Sequence, residues 1–208
     1  MSVGSKAVPY FSQWESRDLT LAVVANDPTV ALRLDPRWAS SGAATVEEYA
    51  AWAWNVCGMA CLKMILAART GRVIPTLELA RACADYGGYT VDPVSGAIKG
   101  LIYSPFVRFI REEFGIQAEV LTGISAREIP ALLARAEFFI ASVHSSIRWP
   151  DRAPPGKGGH LVLIFEACGE MLVFHNPSGH DLRAQEYAAM SLQRFDVFFA
   201  GRGIAILP

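Results

Sequence analysis

Residues 56–69 constrain the fold more than any other stretch. Met59, Ala60, Leu62, Met64, Ile65, Leu66 and Ala67 recur so densely that a helix through them has almost no polar face. Such a helix is stable only if it is buried on most sides, so the rest of the chain must be built around it. Asn55 is a good residue to cap its start, and Gly71 is suited to end it. Cys57 then falls in the first helical turn and Cys61 one turn deeper.

Flanking patterns supply the layers. Thr45–Trp54 predicts a short helix before the central one, and Thr76–Tyr86 a helix after it. Ser104-Pro105 opens another through Phe114, stopped by Gly115. Ser125 and Glu128 form a capping box for a helix reaching Ala136. Beyond that point the chain turns to Val, Ile, Phe and Leu. Strands are expected over 116–121, 138–144, 160–168, 171–175 and 195–206, with Gly169-Glu170 a tight hairpin. Val8–Ser12 reads as a short edge strand, and 14–54 as an irregular surface excursion. Helices first and antiparallel strands later make an α+β fold. At 208 residues, one domain spanning 1–208 is expected.

Composition excludes several classes. Apolar residues are 52% and charged residues 19%, which argues against disorder. The net charge of −1 gives no footing for nucleic acid or an anionic membrane. No apolar run is long enough to span a bilayer. Met1–Pro9 lacks the apolar region of a signal peptide, so a cytoplasmic location is expected. Cys57, Cys61, Cys83 and Cys168 are expected to be free thiols, since a chain of this size needs no staples.

Three stretches carry chemistry. Cys57, at a helix N-terminus, sits among unpaired amides and the positive dipole end, which favour a thiolate. Cysteines so placed fall from about 8.5 to roughly 3.5–7.5. His160 follows Gly158-Gly159 and opens an apolar strand, at a sheet rim where a base can meet a substrate. Asn176 precedes Pro177-Ser178-Gly179 in a turn. The hairpin across Gly169-Glu170 brings Asn176 to the level of His160, where its side chain can orient the imidazole. Each residue also has a plainer role: Cys57 as a small buried apolar group, His160 as a hydrogen-bonded core residue, Asn176 as a turn former. A different alternative is a Cys₂His₂ metal site from Cys57, Cys61, His175 and His180.

The sequence around these residues resembles the papain-like superfamily, and within it the family-39 cysteine peptidases, the bacteriocin-processing type and their free-standing relatives. The family's nucleophile motif matches Cys57-Gly58-Met59-Ala60-Cys61-Leu62-Lys63-Met64-Ile65-Leu66. Its histidine motif matches Gly159-His160-Leu161-Val162-Leu163-Ile164, and its Asp/Asn-Pro turn matches Asn176-Pro177. Free-standing members often begin Val-Pro-x-x-x-Gln, as do Val8–Gln13. The resemblance implies a papain-like fold with the central helix packed on a C-terminal antiparallel sheet. It implies a thiol peptidase without cofactor or metal, acting on a peptide or protein substrate, with neither nucleic acid nor membrane as a partner. Cys57 would be the nucleophile, His160 the base, Asn176 its orienting partner and Gln13 an oxyanion donor. A silent, peptide-binding version of the same domain is the alternative. The chain departs from the processing enzymes in having Ala51 where they carry the glutamine. Gln13 is 44 residues upstream of Cys57 and serves only if 14–54 loops out and returns. The double-glycine leader of those enzymes is therefore not carried over. Trp52 and Trp54 are candidates to wall a substrate groove, and Ser145–Lys157 is a candidate lid.

Overall fold

The computed structural model describes residues 7–208. Met1–Lys6, on which part of the export expectation rests, lies outside them. Residues 8–12 run extended but form no strand, contrary to expectation. Pro9 has no N–H for a ladder. The segment is tied instead through scattered bonds: Tyr10 Oη donates to Asn176 O at 3.1 Å and Ser12 Oγ to Pro177 O at 3.0 Å.

The 14–54 region is also a correction. It is mostly helical, with α1 (Thr20–Ala25), α2 (Pro28–Arg33) and α3 (Val46–Ala53) joined by 3₁₀ turns. Trp14, Val23, Leu32, Tyr49 and Ala53 give it an apolar core of its own. Asp35 is buried at the centre. Its carboxylate accepts from Ser16 N, Ser16 Oγ, Arg37 N and Tyr49 Oη, the last at 2.5 Å. Four donors compensate the loss of water around a buried charge. Thr45 caps α3 as anticipated, its Oγ1 accepting from Glu48 N.

The central helix α4 (Cys57–Thr70) is buried from Gly58 to Ala67 and ends at Gly71, whose φ of 72° suits glycine. Its start differs from expectation. Val56 occupies the capping position without a side-chain bond, while Asn55 Nδ2 reaches back to Ala51 O at 3.2 Å. The α3 and α4 axes meet at 94°, so Trp54–Val56 forms a sharp corner that leaves the first amides of α4 uncapped. Lys63 is the charged residue of the buried stretch of this helix. It is buried, 3.8 Å from Glu15 Oε1, and donates to Thr76 Oγ1 at 3.3 Å.

Helix α5 (Thr76–Asp85) packs beside α4, and α6 (Tyr103–Phe114) packs beside α5 and stops at Gly115 as read. Strands β1 (Ala118–Thr122), β2 (Phe138–His144), β3 (Gly159–Cys168) and β4 (Met171–His175) follow the expected pattern. The Ser125–Glu128 capping box forms, but the helix it starts, α7 (Ile129–Leu133), ends short of Ala136. After β4, α8 (Leu182–Gln185) and a strand the sequence did not reveal, β5 (Ala188–Ser191), precede α9 (Leu192–Phe198) and β6 (Phe199–Ile206). Residues 195–198 are thus helical rather than extended. Ser191 Oγ caps α9 by accepting from Arg194 N, and Leu192, Phe195 and Phe198 recur at helical spacing.

The six strands form one antiparallel sheet in the order β1-β6-β2-β3-β4-β5. Alternation along β2 and β3 divides the core. Phe138, Ile140, Leu161 and Leu163 face α4, α5 and α6, while Phe139, Ala141, Val162 and Ile164 face α7 and α9. This is the expected α+β arrangement, with the buried helix packed on the sheet. Among the described residues no single helix is long and apolar enough to cross a membrane.

Gly203 on β6, paired with Ala141 of β2, has no room for a side chain. A Cβ there would meet Ile140 O at 2.3 Å and the Phe139 ring at 2.6 Å. Gly203→Ala is expected to destabilise the fold by about 1–3 kcal/mol in a urea titration. Gly156→Ala, where a Cβ meets nothing within 4 Å, is expected to be neutral.

Candidate active site

Four separate pieces of chain converge at the Trp54–Val56 corner. The hairpin brings His160, at the start of β3, beside Asn176, just past the end of β4. Asn176 Oδ1 lies 2.8 Å from His160 Nε2 and accepts from Ser178 N at 3.1 Å. That second bond orients the amide, because a backbone N–H requires the oxygen on its side. Nε2 therefore carries the proton, and Nδ1 is left with a lone pair. His160 and Asn176 are both buried, Asn176 completely. Asn176 Nδ2 is buried without a partner.

Cys57 is half-buried at the first position of α4. It shares a cleft of about 300 Å³ with His160, Trp54, Leu101, Tyr103 and Arg202. No hydrogen bond joins Cys57 to His160. Burial pushes the Cys57 thiol up. The backbone N–H groups of Leu161, Gly58 and Cys57 itself, together with the charge of Arg148, pull the other way. Leu161 can contribute because β4 pairs with β3 only from Leu163 onward. Its carbonyl meets Cys61 Sγ at 4.0 Å. Cys61 is deep in the core, where burial drives its thiol well above the ordinary range. His160 moves in the opposite sense: burial first, then the charge of Arg148, press it from 6.5 down to about 3. The imidazole is neutral at physiological pH, with the Nδ1 lone pair free.

Gln13 returns to the corner from 44 residues upstream. Its Nε2 donates to Ala53 O and Trp54 O, both at 3.0 Å, and its backbone N–H to Pro177 O at 2.9 Å. Both amide hydrogens are thus engaged by carbonyls of the corner itself. Trp54 is 40% exposed, stacked on Trp14, and lines the cleft. Trp52 instead packs edge-on against Tyr89 within the domain.

Sequence reasoning missed two residues. Arg148, at the end of a 3₁₀ turn (Ser145–Arg148), is buried with its Nε 2.7 Å from Ser178 O and its Nη2 2.6 Å from Ser178 Oγ. Ser178 Oγ in turn lies 3.0 Å from His160 Nε2. The signals were an arginine within the candidate lid and a serine two residues after Asn176. Neither is distinctive without coordinates.

The metal alternative does not assemble. His175 Nε2 donates to Val8 O and its Nδ1 accepts from Tyr187 N. His180 stacks on Trp149. Among the described residues no group of three His, Cys, Asp or Glu side chains could hold a metal ion.

No family model and no curated protein matches the sequence. Solved structures do match in fold. The peptidase domain of Streptococcus ComA, a bifunctional ABC transporter involved in quorum sensing, aligns with a TM-score of 0.50 at 16% identity, over 74% of this chain and 92% of that one. A double-glycine-motif protease from an AMS/PCAT transporter, solved with its leader peptide, aligns at 0.52 and 14% identity, over 100% and 96% of the two chains. A Bacillus anthracis protein described as a C39-like peptidase aligns at 0.51 and 14% identity, over 74% and 89%. The chain has the papain-like α+β fold of C39 peptidase domains.

The buried neutral histidine has a consequence for stability. The folded His160 binds its proton far less readily than the unfolded one, so the unfolded state takes up more protons as pH falls below 6.5. The stability this group contributes is present above that value and is lost on acidification towards about pH 3. His175, also lowered by burial, acts in the same sense. Urea midpoints are expected to fall between about pH 7 and 5, ahead of most carboxylate titration. His160→Gln is expected to remove part of that slope.

Proposed function

We propose that this chain is a thiol hydrolase that cleaves a peptide or amide bond, with Cys57 as nucleophile, His160 as proton carrier and Asn176 as the residue that orients His160. The observation that carries this reading is the Asn176 Oδ1–His160 Nε2 bond of 2.8 Å, with its amide oriented by Ser178 N. It leaves Nδ1 as the basic nitrogen beside the cleft that Cys57 lines. A ring held this way takes the thiol proton and later delivers it to the leaving amine. Cys57 Sγ adds to the carbonyl carbon, the carbonyl oxygen becomes an oxyanion, and collapse expels the amine. Water then releases the acyl group from sulfur.

In this reading the N–H of Cys57, at the start of α4, turns to the oxyanion as it forms, a contribution of about 3 kcal/mol per donor. In this reading Gln13 acts first by holding the Ala53-Trp54 carbonyls and so aiming that N–H. Turning one Nε2 hydrogen into the cleft would cost it a corner hydrogen bond. The missing Cys57–His160 hydrogen bond is that of a resting pair, since catalytic contacts commonly tighten once substrate is seated. The peptide in the complex of the PCAT relative supports a peptide as the substrate class here.

The reading is tested by site-resolved alkylation and by turnover of a peptide library. Cys57, only half-buried, is expected to react with iodoacetamide at neutral pH faster than the exposed Cys168, which serves as the accessibility reference. Cys57→Ala should abolish peptide cleavage, and His160→Ala should lower kcat/KM by about 10²–10⁴-fold. Cleavage that survives Cys57→Ala would overturn the assignment. Peptide binding without any cleavage would favour a silent binding domain.

A further inference from the structure

Arg148 is a buried cation without an anion. It is 5% exposed, and none of the ion pairs among the described residues includes it. Its hydrogen bonds go to neutral acceptors, the Oγ and carbonyl of Ser178, and its guanidinium lies 5.9 Å over the Trp54 ring. Burying a charge against dipoles alone is costly, and folds normally supply a carboxylate. Lys63, the other buried cation among the described residues, follows that rule with Glu15. A brace for the 176–178 turn needs hydrogen bonds but no net charge.

The groups around Cys57 narrow what the charge is for. His160 faces it from β3, Tyr89 from the segment after α5, Cys61 from its own helix, and Arg202 across the cleft from β6. His144, at the end of β2, bears on His160. Burial holds Tyr89 and Cys61 neutral. His160 and His144 can become only neutral or positive. Cys57 is the one member that can present a negative charge to Arg148, and each charge favours the other.

We propose that Arg148 is the fixed counter-charge against which the Cys57 thiolate forms, held there by the same Ser178 hydroxyl that meets His160 Nε2. The proposal rests on reading Cys57 as the nucleophile. In it, the S–H proton passes to His160 Nδ1 during acylation, or to solvent at rest, and Arg148 stays protonated throughout. At rest, with the proton in solvent, the thiolate does not depend on an imidazolium, which burial disfavours here. Arg148 gives its hydrogen bonds to Ser178 and none to the sulfur. It is a positioning residue that acts by charge.

The test is the pH dependence of iodoacetamide alkylation at Cys57, read by mass spectrometry on the full chain, in which sulfur displaces iodide. Arg148→Met is expected to move the Cys57 midpoint up by about one pH unit or more. Arg148→Lys, which keeps the charge, should recover most of that shift. His160→Gln should leave the midpoint within about half a unit. A folded Arg148→Met variant with an unshifted midpoint would show that Arg148 only braces the turn. A His160→Gln midpoint that rises by a unit or more would make the imidazolium the partner and overturn the proposal. That arm decides even if Arg148→Met does not fold, as judged by circular dichroism. Failure of the nucleophile reading is separate: wild-type Cys57 would then label no faster than Cys168.

Discussion

Gln13 is the joint on which the rest of the site depends. Its backbone N–H binds Pro177 O while its side chain binds Ala53 O and Trp54 O. One residue therefore spans the turn that holds Asn176 and the corner that launches α4. The corner has no cap of its own, since Val56 has no side-chain acceptor and Asn55 faces backward. The turn follows directly on β4. Neighbouring residues strengthen the joint, with Tyr10 on Asn176 O, Ser12 on Pro177 O and His175 on Val8 O. Residues 8–13 work as a strap, and a strand would have engaged their backbone groups elsewhere.

The site sets two demands in opposition. A helix buried from Gly58 to Ala67 anchors Cys57 firmly against β3, but the same burial raises the thiol and strips the imidazole of its proton. Open amides at the helix start favour the thiolate, and so does Leu161 N–H, free because β4 begins two residues later. Both exist because regular structure stops short at this point. Had Asn55 capped α4, one of those amides would have been satisfied by a side chain. The missing cap is therefore consistent with a site that needs donors more than it needs helix stability.

Elements with local causes were legible in the sequence. The apolar face of α4, the glycine stops at Gly71 and Gly115, the Ser125–Glu128 box and the Gly169 hairpin are each determined by a few adjacent residues. The partnership of His160 and Asn176 was legible for the same reason, since one hairpin relates them. What stayed hidden depends on distant partners. Asp35 becomes a buried hub only because Ser16 and Tyr49 fold onto it. Residues 195–198 are apolar enough for a strand, and Ser191 decides for helix by capping. Arg148 gives no local sign of burial, because its partner Ser178 lies 30 residues on.

The 176–178 turn shows how little chain is needed to couple proton geometry to charge. Pro177 has no N–H, so the next donor is Ser178 N, and Asn176 Oδ1 accepts it two residues on, as asparagine does in tight turns. That bond points the amide oxygen at His160 Nε2 and selects the tautomer. It also brings Ser178 Oγ to 3.0 Å from the same nitrogen, and the Arg148 guanidinium holds Oγ from the other side. Proton position on His160 and cation position near Cys57 are thus set by adjacent atoms of one turn. Any movement of that turn shifts both together. The strap of residues 8–13 is bonded to it at Asn176 O and Pro177 O, the two carbonyls where it could otherwise swing.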